Sequence, residues 1–192
     1  MKRYMILKLF IICAIIASSC NKDDDKKDDE GCVKEENFFE AQFDSQTIEP
    51  YYLVSGATSF YTLNYTRCFE SDTNWSLSIS TENDIRLYLY LIDITETGTY
   101  SVIAGDLNHT QALCYNATSI YLVDDISNVY TYISTGNGQI EITEYNAESG
   151  IFAGAFSCEM VSTTNSSVKK VITGEFNVNK STLDNFEKPC WL

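Results

Sequence analysis

Trp75-Ser76-Leu77-Ser78-Ile79-Ser80 alternates an apolar side chain with a serine at every step. A period of two belongs to a β-strand and not to a helix. Trp75, Leu77 and Ile79 face a core and the serines face water, as in a half-exposed antiparallel sheet. Ile85 to Asp93 reads differently. Leu87, Leu89 and Leu91 share one face while Arg86, Tyr88, Tyr90 and Ile92 share the other, so both faces are largely apolar and the strand belongs in the middle of its sheet.

Outward from these two, β-branched and aromatic runs bounded by turn residues predict further strands at 38–44, 51–54, 58–67, 99–103, 118–123, 129–134, 138–145, 150–161 and 168–178. The last three are joined by Asn146-Ala147-Glu148-Ser149-Gly150 and by Thr163-Thr164-Asn165-Ser166-Ser167, turn chemistry that predicts a meander of neighbours. On the middle one Phe152, Gly154, Phe156, Cys158 and Met160 share the face expected to be the core side. Thr182 to Glu187 suits a short helix. An open sheet of so many strands tends to split or close. The predicted fold is therefore all-β, a single antiparallel β-sandwich of about ten strands, with a β-barrel as the alternative.

The chain opens differently. Behind Lys2, Arg3 and Lys8 runs an apolar segment from Leu9 to Ala17, and Ile16-Ala17-Ser18-Ser19-Cys20 closes it. The run is too short for the roughly 20 residues that cross a bilayer. It looks like a bacterial lipobox, which makes residues 1–19 a lipoprotein signal peptide and Cys20 the lipidated residue. Asn21 to Glu30 carries three lysines and six carboxylates and nothing able to enter a core, so residues 20–31 read as an acidic disordered tether. Ten residues reach at most about 35 Å. Residues 32–192 then form one domain, long enough to bury its own core. A lysine-containing acidic patch behind a lipidated cysteine also resembles the export signal of Bacteroidota-type lipoproteins. That resemblance implies a cell outer-membrane lipoprotein, lipid-anchored and facing the extracellular side.

Charge excludes one class of partner. The chain has 13 Lys and Arg against 27 Asp and Glu; losing Lys2, Arg3 and Lys8 with the signal leaves 10 against 27, a net −17. Such a surface repels phosphate backbones, so no nucleic acid is expected as a partner. The membrane is reached through the lipid anchor.

Seven cysteines occur. Cys13 leaves with the signal and Cys20 is acylated, so Cys32, Cys68, Cys114, Cys158 and Cys190 remain for an oxidising compartment. Cys158 lies between Phe156 and Met160 on the core face and reads as an unpaired, inert thiol. Cys32 precedes the first strand, Cys190 follows the last, and Cys68 and Cys114 sit at strand ends. Of the fifteen two-bridge arrangements these five allow, pairing 32–190 and 68–114 is the one expected. No spacing resembles a zinc site, so neither metal nor cofactor is expected.

Catalytic sets are sparse. His109 is the one histidine, set in a loop-like stretch five residues before Cys114, and its default reading is a solvated side chain. Asp124-Asp125 and Glu82 with Asp84 are carboxylate neighbours of the kind a glycosidase or calcium site uses, but they lack EF-hand spacing and read as turns. The chain is expected not to be an enzyme. Recognition is better suggested by its 13 tyrosines. Tyr61 with Tyr65, Tyr88 with Tyr90 and Tyr130 with Tyr132 alternate along strands, which suits either an exposed platform for sugar rings or protein, or aromatic plugs of the core.

A wider resemblance rests on Gly138 to Asn146, Gly150 to Cys158 and Val171 to Asn177. These runs are similar to the C-terminal signature of small Bacteroidota-type surface lipoproteins: an isoleucine-threonine strand ending in tyrosine and asparagine, a glycine-x-phenylalanine strand, and a threonine-x-glycine-x-phenylalanine strand. Phe39 to Ser45 resembles their first strand, with Ser45 where glycine is usual. The resemblance covers about a third of the chain and implies no particular activity. Three functions follow as expectations: a non-catalytic glycan- or protein-binding surface module first, an accessory or structural component of an envelope assembly second, and a carboxylate-dependent hydrolase third.

Overall fold

The computed structural model describes residues 36–55, 58–68, 71–107, 117–124 and 129–184, all within one compact unit, Cys32–Leu192. Twelve strands and one helical turn follow in order: β1 (Phe38–Phe43), β2 (Gln46–Ile48), β3 (Tyr52–Ser55), β4 (Thr58–Tyr61), β5 (Leu63–Arg67), β6 (Trp75–Ser80), β7 (Arg86–Leu91), β8 (Gly98–Ser101), β9 (Ser119–Val123), β10 (Tyr132–Asn146), β11 (Ile151–Ser162), β12 (Lys169–Asn179) and α1 (Lys180–Leu183). The fold is all-β, and every pairing among these strands is antiparallel.

Ten strands form one sheet in the order β2-β1-β12-β11-β10-β9-β7-β6-β5, with β8 also paired to β10, while β3 and β4 make a separate hairpin. The sheet curls into a half-barrel, so the two facing layers of the expected sandwich are halves of one sheet. Contacts between distant strands show the closure. The ring of Phe152 on β11 lies 5.0 Å from Trp75 on β6 and 5.7 Å from Tyr65 on β5. Trp75, Leu77 and Ile79 are buried, as are Leu87, Leu89 and Leu91, and β7 is an interior strand between β6 and β9.

The corner is made in β10. Its start pairs with β9 through Tyr132 and Ile133, and its later part pairs with β8 through Gln139 to Ile142. Between them the register with β11 shifts from Ser134↔Met160 to Gly138↔Cys158. Gly136 sits in that bulge at φ +92°, a conformation open to glycine. Segments 129–134 and 138–145, expected as separate strands, are therefore mostly one bulged strand. The opposite happens at 58–67. There Thr62 leaves the ladder and donates its N–H to the Tyr51 carbonyl, so the predicted strand breaks into β4 and β5. β2 follows a turn in which Asp44 itself takes φ +59°, which removes the need for glycine at Ser45.

The meander holds as expected, with β10, β11 and β12 consecutive neighbours, and β1 joins it on the far side of β12. In its middle Gly154 pairs with Phe176, and Phe156 pairs with Gly174. A Cβ on Gly154 would run into the Glu141 carbonyl oxygen and come within 3.1 Å of the Phe176 ring; one on Gly174 would meet the Phe156 ring at 2.7 Å. Each phenylalanine lies over the glycine of the opposite strand, which is the packing reason for the two glycine-x-phenylalanine motifs.

Cys158 is free and buried, as expected, and burial pushes its thiol up to about 11. Cys68 is buried and disulfide-bonded. Cys32, Cys114 and Cys190, hence both expected pairings, fall outside the described residues, as do residues 1–19, Cys20 and the tether. The single turn of α1 begins two residues before the expected Thr182 and is capped by Asn179, whose Oδ1 accepts the Ser181 N–H at 3.1 Å. Among the described residues no helix is long and apolar enough to cross a membrane.

Candidate functional site

The six candidate tyrosines do not form one platform. Tyr61 and Tyr65 point into the core, and burial drives both phenol pKa values upward. The Tyr61 hydroxyl donates to the Asn37 carbonyl at 3.0 Å. Tyr65 stacks on Trp75 at 4.9 Å. Tyr132 is half-buried on the same side, edge-on to Phe43 at 4.9 Å with the Lys170 ammonium 5.3 Å from its ring. These three plug the half-barrel, because their strand positions share parity with the core face.

Tyr88, Tyr90 and Tyr130 do come together, on the outer face. Tyr88 lies 5.9 Å from Tyr130, which lies 4.7 Å from Tyr121, which lies 5.7 Å from Tyr90. Ile92 and Ile133 pack against this second cluster. Tyr90 and Tyr121 are buried; Tyr88 and Tyr130 are half-buried. The Tyr121 oxygen accepts the Asp106 N–H at 2.8 Å, so the 103–107 segment is fastened over it. The cluster is a satellite core rather than an open stacking surface, and burial accounts for the tyrosines that alternation alone left ambiguous.

An open, polar site lies beside it, on the outer face of β5 and β6. Asn64 pairs across the strands with Ser78, and Ser80 pairs with Arg86 of β7. With Tyr51, Tyr61 and the Thr81–Asp84 turn these side chains line a groove of about 390 Å³. The Thr62 hydroxyl fixes its wall by accepting the Tyr51 N–H at 2.8 Å and donating to the Ser80 carbonyl at 2.7 Å. The turn is held by the Asp84 N–H on the Thr81 carbonyl at 3.2 Å and the Ile85 N–H on the Thr81 hydroxyl at 3.2 Å. Asp84 stands at φ +61°, a left-handed conformation that aspartate tolerates.

Chemically the groove mixes roles. Arg86 only donates, Asp84 only accepts, and Asn64, Ser78 and Ser80 do both, beside the half-buried Tyr51 ring. A sugar ring offers the matching set, hydroxyls that each donate and accept and a face of C–H groups. No protein-family model, curated protein or solved structure matches the chain.

Sequence reasoning placed the serines of β6 in water and Asp84 in a turn, but gave no role to Tyr51, Asn64 or Arg86. Their signal was a surplus of hydroxyl and amide side chains on one face of adjacent strands, visible only once the strands are paired. Glu82 and Asp84 are exposed neighbours in the turn, and Asp124 is exposed too; His109 and Asp125 lie outside the described residues. Among the described residues no group of three His, Cys, Asp or Glu side chains is placed to hold a metal ion.

Proposed function

We propose that this chain is an outer-membrane lipoprotein, anchored through Cys20 and displayed on the cell surface, whose β-domain is a non-catalytic glycan-binding module. The observation that carries the binding role is the groove, where a tyrosine ring, an Arg, an Asp, an Asn and two serines converge on a water-facing sheet. Polar groups placed to orient a ligand beside an aromatic wall are the usual composition of a binding site. The non-catalytic reading draws on the same lining. Asp84 is the one carboxylate among its described residues, whereas glycoside hydrolysis in most families uses two facing carboxyls. The anchor rests on Lys2 to Cys20, and the tether supplies the reach from the lipid surface to the domain.

The test is a glycan array probed with the purified full-length chain, followed by titration of any hit with Asn64→Ala. Loss of a side chain that bonds the ligand should weaken binding about tenfold, equivalent to about 1.4 kcal/mol. A chain that binds no glycan, or whose binding is indifferent to Asn64→Ala, removes this reading. A protein partner is the second reading. It is favoured by Leu107 and Val129, exposed at 51% and 62%: Leu107 follows Asp106, which bonds Tyr121, and Val129 precedes Tyr130 in the chain.

A further inference from the structure

At the other end of β5 and β6, on the inner face of the sheet, lies a second pocket of about 280 Å³. It brings together Arg67, Trp75, Lys180 and the turn between β10 and β11 that carries Glu148 and Ser149. Trp75 is 97% buried, being 3% exposed, yet its Nε1–H has no hydrogen-bond partner; the buried Ser149 hydroxyl has none either. Buried polar atoms are nearly always satisfied, and this orphaned donor belongs to a residue that lines the pocket, so it asks for an acceptor from outside the chain. The indole is firmly held. Tyr65 stacks on it at 4.9 Å, Phe152 packs at 5.0 Å, and the Arg67 guanidinium stands 5.7 Å from its ring.

The lining is rich in donors. Indole, guanidinium and ammonium donate and never accept, and Glu148 is the one carboxylate among the described lining residues. A neutral hydroxyl brings a proton along with each acceptor and would find few takers here. A carboxylate brings acceptors alone. Arg67 already meets Asp72 in a single contact at 3.3 Å, and Lys180 meets Asp184 at 2.7 Å. Asp72 is 90% exposed. Ion pairs so open to solvent contribute little and are readily exchanged, whereas a carboxylate inside the pocket would sit against the buried indole.

We infer that this pocket binds a small carboxylate-bearing ligand, whose oxygens are received by Arg67 and Lys180 and by the Trp75 Nε1–H. The ligand's carboxylate takes over the Arg67 contact made by Asp72. This site is separate from the polar groove and stands whether or not the groove binds a glycan.

The full-length chain is titrated with galacturonate, acetate, galactose and sulfate while the indole N–H resonance of Trp75 is followed by NMR, assigned by its loss in Trp75→Phe. Galacturonate should shift that resonance to saturation while galactose and sulfate leave it in place. Acetate acting alone would show that the carboxylate suffices; galacturonate acting without acetate would show that the sugar ring is also held. Arg67→Gln should weaken binding about tenfold, as expected when one side of a charged hydrogen bond is removed. Asp72→Asn should tighten it by removing the competitor. Galactose or sulfate shifting the resonance as far as galacturonate overturns the inference, and so does a resonance that neither acid moves.

Discussion

Phe156 and Ser157 are adjacent in the chain and opposite in environment. The phenylalanine is 4% exposed, with its ring 5.9 Å from Phe39 and over Gly174; the serine faces solvent. Phe156→Ala should cost about 3–5 kcal/mol, the range for truncating a buried aromatic. Ser157→Ala should change stability by less than about 0.5 kcal/mol. Denaturant unfolding of the two variants checks both, and equal losses would mean the strand register is wrong. Cys158, one residue on, gives a pH prediction. Its thiol titrates near 9.0 unfolded and is pushed up to about 11 by burial. Below pH 9 both states hold the proton and stability is unaffected. Between 9 and 11 the unfolded chain releases it while the fold retains it, so stability falls as pH rises. Cys158→Ala should lose stability less steeply over that window, measured by urea unfolding at pH 8, 9, 10 and 11. All three assignments were legible from alternation, because parity on a strand fixes the face. Tyr61 and Tyr65 were ambiguous because tyrosine suits a core and a surface equally, and parity says nothing of which face a second layer covers.

Ser134 shows how an element depends on a single hydroxyl. It sits at the corner of β10, 1% exposed, and its Oγ donates to the Ile103 carbonyl at 2.6 Å while accepting the Ile120 N–H at 3.2 Å. It thereby joins the chain after β8 to β9 where the ladder is interrupted. Ser134→Ala takes the partner from the buried Ile120 N–H and from the part-buried Ile103 carbonyl, a loss of about 1–3 kcal/mol. Hydrogen exchange should locate the damage, with the Ile120 amide losing protection before the amides of β12; uniform loss across the sheet would show that the corner has no local role. The bulge was not legible. Glycine on both sides of Asn137 is turn chemistry in front of a new strand, and only pairing to β8 and β9 on one edge reveals that the strand continues. The break at Thr62 was hidden for a similar reason. Nothing local distinguishes Thr62 from its neighbours, and its hydrogen bonds go to Tyr51 and Ser80.

For the whole molecule, composition and contact separate cleanly. The order of the strands in the meander followed from short turns, but the groove joins Tyr51, Asn64, Ser78 and Arg86 from separate stretches of chain, and the Trp75 pocket joins residues as far apart as Arg67 and Lys180. Such sites are products of topology. The tether is the reverse case, where composition alone carries the argument. Asn21 to Glu30 contains no side chain that gains by burial, so replacing Lys22–Glu30 with Gly and Ser should leave the unfolding midpoint of the domain unchanged. If the acidic patch is read as an export address, the same replacement should lower accessibility to protease added to intact cells. If it is a spacer only, accessibility should persist, since Gly/Ser linkers of equal length retain the reach. Cys20→Ala separates anchoring from display: with no acyl chain the protein should leave the membrane fraction entirely and take up no labelled fatty acid, and label persisting in that variant would place the anchor elsewhere.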